Sequence, residues 1–599
     1  MPDSPFNTAG EIIRVDILLG GKPINRRLQV AAVNVERGLN SMPTAKITIL
    51  LPASAEEDST FFISGSKDFV PGQEIEIKAG YEPNSETIFK GIIVNLGIRS
   101  RSDEQNEMVV RCSDKAVKMT QGRKSACYQN QKDSEIISAI VDEYGLQKEV
   151  ETTSFGHPQI VKYQATDWDF LLTRAEANGL MVYAEDGKIF LKKLQASGSA
   201  VLEVEFGRDV FNYDLNIETR HQIPSMTCLA WDMKTQAMVE GKSSEPALNA
   251  QGNLKARDAG TGIGLSDATL ATTAPLENPE LKTWANAELV HARMNYILGS
   301  IRFYGNAKPK LNTLIQLKGF GDRFNGNALI SGIDHKIKAG RWTTTVRLGL
   351  PSERRSETLP AVSAPPAGGL LPAVSGLQNG TVKKIDADPA GQYRIQVNVP
   401  AITADGEGIW ARMANFYATS GKGSFFMPEV GDEVALGFLN DDPRFPVILG
   451  MLYSSSNKPP YTAAAENKIK AIVTKNDLKI EFNDGDKILT ISTPAGNQFV
   501  LSDKDKSVTV KDQNGNKVEL NTSGISLNSA KDVVITASGK IDLKAATGIT
   551  AAASGGDVSL NGLNVTAKAN IAFSAQGTAQ AELKSGGNTT IKGAMVMIN

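Results

Sequence analysis

The sequence predicts a mainly β, multidomain chain: β-barrels with a few helices through most of its length, then a C-terminal triple-stranded β-helix that three copies must build together. Three observations lead there. Alternating apolar and polar residues recur in short runs up to about residue 350. A Pro/Ser/Ala/Gly-rich linker then separates them from a compact block of strand and turn signals. Last, an eight-residue register runs from about residue 525 to the end.

The totals allow several domains, since 599 residues exceed the usual single-core size. Apolar residues make up 41% and charged residues 22%, as in ordinary globular chains. A net charge of −2 gives no global field for nucleic acid or anionic membrane. The N-terminal residues MPDSPFNTAGEIIRV hold neither a basic nor an apolar leader segment. No apolar run reaches the roughly 20 residues a spanning helix needs. The expectation is synthesis in the cytoplasm without a signal peptide, with any export left to a machine.

Within residues 1–351, Glu74–Lys78 and Thr343–Leu348 alternate as half-buried strands. Three helices are predicted. Asp133–Tyr144 places Ile136, Ile137, Ile140, Val141 and Tyr144 on one face and ends at Gly145. Thr166–Asn178 begins with a cap-like Thr166/Asp169 pair and stops at Gly179. The third runs from Glu280 to Leu298, between Pro279 and Gly299. Residues 352–377 read as the linker, and 378–460 as a small β-barrel.

Residues 461–524 read as a neck of short strands, broken by turns such as Asn483-Asp-Gly485 and Asn514-Gly515. From 525 to 599 the octads begin: ISLNSAKD (525–532), VVITASGK (533–540), IDLKAATG (541–548), ITAAASGG (549–556). After a slip near Asp557 they resume as VTAKANIA (565–572), FSAQGTAQ (573–580), AELKSGGN (581–588) and TTIKGAMV (589–596). Each octad offers two or three apolar side chains, too few to offset about 1–2 kcal/mol of backbone ordering per residue. Its strands would also expose their edges. Three chains wound into a prism solve both problems, because inward side chains meet at the axis and every strand finds a neighbour.

Chemistry is sparse. The histidines (His157, His221, His291, His335) stand far apart, with no ligand spacing between them. Cys112, Cys127 and Cys228 form no CxxC pair and read as buried small hydrophobes. Gly260-Thr-Gly-Ile-Gly264 lacks the Lys-Ser/Thr of a phosphate loop and reads as a flexible surface loop. Asp167, Asp169 and Glu176 read as helix-start complementation. No catalytic residue, metal or cofactor is expected.

The block Gly380-Thr-Val382, Pro389–Pro400, Trp410–Ala414 and above all GKGSFFMPEVGDEVALGFLNDDPRFPVILGMLY (421–453) resembles the OB-fold of VgrG-type spike proteins. These belong to type VI secretion and related contractile injection systems, and they are similar to phage tail hub and spike proteins. Residues 163–171 and 175–179 resemble the hub of that family, and the ending 591–599 resembles its β-helix.

The resemblance implies a non-enzymatic homotrimeric spike that punctures a target envelope. Its implied partners are a hexameric Hcp-like tube and baseplate proteins at the hub, possible effectors, and a membrane met only by puncture. It also implies delivery outside the cell or into a target. Lysozyme domains of some phage relatives sit between barrel and needle, where this chain leaves about fifteen residues between Tyr453 and Ile469. Effector domains of other relatives follow the needle, where this chain reads Asn599. With no histidine after His335 to bind a tip metal, Met595, Val596, Met597, Ile598 and Asn599 are expected to form a blunt apolar platform for a separate PAAR-like tip protein. A phage baseplate spike would share these mechanics. A polysaccharide-binding or -processing β-helix is the alternative of another class, and the lack of any Trp beyond Trp410 counts against it.

Overall fold

A computed structural model describes residues 2–10, 12–51, 68–101, 104–249, 251–358, 362 and 364–598. It divides into two compact units, 1–452 and 453–599. The chain is mainly β, with several sheets and one closed barrel among the described residues.

In the first unit, thirteen strands share one sheet. Gly326–Lys338 joins its two halves by pairing with Gln29–Gly38, Arg341–Leu348 and Leu314–Lys318. One core forms around Val33, Ile47, Ile77 and Val110, another around Val204, Ile301, Ile315 and Val346. Strands Glu74–Tyr81 and Arg341–Leu348 contain the two alternating runs read from the sequence.

A helical layer has its own core. Helix Asp133–Glu143 buries Ile136, Ile137, Ile140 and Val141, and the Lys132 amide donates to the Glu135 carboxylate at its start. Helix Asp167–Ala177 starts where Thr166 Oγ1 accepts the Asp169 amide at 3.1 Å. It ends at Gly179, whose φ is positive and where an added Cβ would crowd Ala287 at 3.2 Å.

The third helix departs from expectation. It spans Asn278–Met294, so Pro279 lies in its first turn, where a missing N–H costs nothing. It stops four residues early because Ile297–Tyr304 is claimed by the large sheet, pairing with both Val210–Ile217 and Arg341–Leu348. Gly299 is therefore a strand residue pressed against Asp214, rather than a helix cap. Residues 260–264 also differ from the predicted loop. Ala256–Gly262 is a short helix, and a Cβ on Gly260 would lie 1.8 Å from the Gln222 carbonyl oxygen. Packing, not phosphate binding, explains that glycine.

The barrel closes in the order Gln378–Lys384, Ile395–Asn398, Ile409–Met413, Pro446–Met451, Glu433–Phe438. Val382, Ile395, Val397, Ala411, Val434, Leu436 and Ile448 fill it. A Cβ on Gly380 would stand 2.4 Å from Val397 and 2.7 Å from Leu436, so the barrel closes around a bare glycine.

In the second unit, seven strands form an antiparallel meander from Ile469 to Asn528. The last strand, Gly524–Asn528, already uses the start of the first octad. Beyond it, no described residue is assigned to a strand or helix.

Candidate functional site

Exposed apolar side chains occur in both units, and in the second they line up in rows. In an antiparallel pair, opposed residues share a face. Register therefore aligns Ile472, Ile480, Ile491, Phe499, Val510, Val518 and Leu527 in one row across all seven strands. A second row holds Phe482, Leu489, Leu501, Val508, Leu520 and Ile525. The reverse face carries Glu481, Thr490, Val500, Thr509, Glu519 and Ser526, all polar but Val500.

None of the residues in the two rows is buried within the chain. A hollow of about 590 Å³ lies over the first row, bounded by Ile491, Phe499, Val510, Leu527 and Val533. At ~4.8 Å per strand the sheet is roughly 30 Å wide, and an apolar face of that size needs a cover. Alternation was legible in the sequence, but the register that stacks it into rows was not.

The octads extend the pattern, with Ile541, Leu543, Ile549, Ile571 and Leu583 all exposed. At the end Met595, Val596, Met597 and Ile598 are exposed, the last two at 83% and 87%. Asn599, the fifth residue expected at the tip, lies outside the described residues.

The acidic residues of the barrel motif hold turns. Asp388 accepts both the Arg394 guanidinium and the backbone amides of Ala390, Gln392 and Arg394. That side-chain bond comes first in holding its carboxyl well below the usual range. Asp442 grips Arg444 in the same way, and Asp432 accepts the Glu429 amide at 2.8 Å. Between these turns Phe416 and Phe425 are 89% and 82% exposed.

The remaining chemistry-bearing residues are scattered. His335 is fully buried against Thr344, and burial pushes its pKa down to about 3. His291 is shifted downward, first by burial and then by Arg354, while His221 is exposed. Burial pushes the Cys112 and Cys228 thiols up to about 12. Cys127 is exposed on strand Lys124–Lys132, against the expectation of a third buried thiol, because among the described residues that strand pairs only with Gly156–Ala165. Asp167 does more than complement a helix end: it binds Lys162, Lys124 and Tyr144. Burial opposes its charge, but those bonds outweigh it and lower its pKa.

One cluster went unread in the sequence. Asp133 accepts Arg174 through Nε (2.6 Å) and Nη2 (2.9 Å), and also Asn178 (2.8 Å). His157 Nε2 approaches the same carboxylate at 2.9 Å. Burial works against the Asp133 charge, yet these bonds, Arg174 foremost, bring its pKa down.

Comparison with known proteins places these features in a family. The model of the Alg8 N-terminal domain matches residues 9–339, and that of the type VI secretion system/phage-baseplate injector OB domain matches 378–453. The chain is similar to the type VI secretion system spike protein VgrG3 of Vibrio cholerae, 30% identical over 138 residues, covering 22% of this chain and 13% of that protein. It is likewise 30% identical to VgrG5 of Pseudomonas aeruginosa over 139 residues, 20% of this chain and 18% of that protein. A shorter stretch of 64 residues is 41% identical to the actin cross-linking toxin VgrG1 of V. cholerae, 11% of this chain and 6% of that one. The matches thus span under a fifth of these relatives' own lengths. Among solved structures, the 43 kDa tail protein of prophage MuSo2 from Shewanella oneidensis aligns with a TM-score of 0.44 at 13% identity, over 57% of this chain and 99% of that one. One family model spans more than half of its length, so the chain belongs to the Alg8 N-terminal domain family, and its injector OB domain is similar to VgrG-type spike proteins.

Proposed function

We propose that three copies of this chain form the puncturing spike of a contractile injection machine, without catalysis of their own. The observation that carries this reading is the two-row apolar face of residues 469–528. One sheet with one greasy side is unstable in water, whereas three such sheets facing inward bury both rows around a common axis. A threefold rotation closes three identical walls into a ring, one edge of each copy meeting the other edge of the next.

The octads fit the same arrangement. Among the described residues the octads beyond Asn528 form no strand within one chain, and two further copies would supply the neighbours that strands need. Stiffness follows from pairing every strand, and a spike needs stiffness to transmit thrust. The exposed Phe416 and Phe425 support a collar in which barrels of neighbouring copies touch.

The same reading assigns domains at 1–351 (hub), 352–377 (linker), 378–460 (OB-fold), 461–524 (neck) and 525–599 (needle). The hub would sit on a hexameric Hcp-like tube and its baseplate. Met595, Val596, Met597, Ile598 and Asn599 would seat a PAAR-like tip protein, and effectors would travel with the spike out of the cell.

Native mass spectrometry of the purified chain tests the trimer, with SDS gels of unheated samples beside it. A trimer that survives unheated SDS is the expected result. A monomer would overturn the reading, since every mechanical step depends on three chains.

A further inference from the structure

Glu280, in the first turn of helix Asn278–Met294, stands 3.7 Å from His157 Nδ1, beyond hydrogen-bond reach. Among the described residues no donor bonds its carboxylate. Burial raises its pKa, and the only offsets are the more distant charges of His157 and Arg174. It lines a cavity of about 200 Å³ together with Phe155, His157, Arg174, Leu276 and Trp284. Arg174 is already committed to Asp133. Asp133 takes the hydrogen bonds of the Arg174 guanidinium, and the Glu280 carboxylate is left facing the cavity without a hydrogen-bonded cation. An organic cation against aromatic walls would supply one.

The cavity does not end there. Asn178 and Thr283 also line a second cavity of about 480 Å³, whose apolar walls include Leu180, Leu194, Leu248 and Val290. Glu280, Thr283, Ala287 and Val290 follow one face of the helix at intervals of three and four residues. At 1.5 Å per residue, this face runs about 15 Å from its charged end to its apolar end. An extended peptide covers that distance in about five residues.

We propose that this groove binds an extended peptide segment of a partner protein, taking a lysine or arginine side chain at Glu280 and an apolar side chain beside Leu248 and Val290. The site is independent of the trimer proposed above, because all its residues come from one chain.

Isothermal titration of the full chain with two capped pentapeptides tests it: acetyl-Lys-Gly-Ser-Gly-Leu-amide and the reversed sequence. Saturable binding of one of them is expected, weakened about tenfold or more by Glu280→Gln. The same peptide with norleucine in place of lysine should bind as weakly as the variant does. Absence of saturable binding by both peptides, to a chain whose circular dichroism shows it folded, would overturn the proposal. So would equal binding to E280Q, or equal binding of the norleucine peptide. Butylammonium binding as tightly as the peptide would also overturn it, by reducing the site to a small-amine pocket. Trp284→Leu is the second variant: it removes an aromatic wall while leaving Glu280 in place and should also weaken the lysine peptide.

Discussion

Ile491 lies directly opposite Phe499 across the hairpin 488–502, and neither side chain is buried within its own chain. They are the middle of the longer apolar row, so a charge placed there would face the axis of the proposed trimer. Ile491→Asp should leave the chain monomeric in native mass spectrometry, because an unpaired carboxylate in an apolar core costs several kcal/mol. Its neighbour Thr490 points to the polar face, and Thr490→Asp should assemble normally. Equal masses for the two variants would remove the sheet face from the interface.

The tip offers a separable test. Removing residues 593–599 should abolish co-purification of the tip protein while the trimer mass stays unchanged. Retained tip binding by the truncated trimer would sink the role given to Met595, Val596, Met597, Ile598 and Asn599.

Gly380 should tolerate nothing larger. Gly380→Ala places a methyl against Val397 and Leu436 in a filled barrel, at a cost of about 1–3 kcal/mol. Hydrogen exchange should quicken in strands 378–384 and 395–398, and stay unchanged in 469–528. Unaltered exchange in the barrel would mean that the strands shift to accommodate the methyl.

His335 should make the first unit acid-sensitive. Its pKa in the fold, about 3, lies below the ordinary 6.5, so between those values the unfolded chain holds the extra proton. Stability is therefore fully present above pH 6.5 and falls as pH drops towards 3. Two pH units below 6.5 the loss is about 3 kcal/mol. Denaturant unfolding of wild type and His335→Gln at pH 7 and 4.5 checks this, the variant showing the flatter dependence. Parallel pH profiles would place the acid sensitivity on other groups, among them the carboxylates Asp133 and Asp167, whose lowered pKa values cost stability only nearer their own titration range.

Much of the fold could be read because its signals are local. Ile136, Ile137, Ile140 and Val141 announce their helix by spacing alone, and Thr166 with Asp169 marks the start of the next. The alternation of residues 476–520 gives strands, and Asn514-Gly515 gives the turn between two of them. The helix expected to reach Leu298 shows the limit. Residues 297–298 suit either state locally, and pairing with Asn216 and Ile217 made them strand, with Asn295 and Tyr296 turning the chain into it.

By itself, then, the sequence determined the mainly β character, the injector-type barrel, the alternating strands of residues 476–520 and the octad register. Each depends on residues a few positions apart, whose side chains must share a face whatever the rest of the chain does. Tertiary structure decided where the third helix ends, why Gly260 has no side chain, and which apolar residues line up across seven strands. It alone brought Asp133, His157, Arg174 and Glu280 together from four segments. Those outcomes depend on contacts between distant parts of the chain, where sheet register and close packing choose among conformations that are locally almost equal in energy.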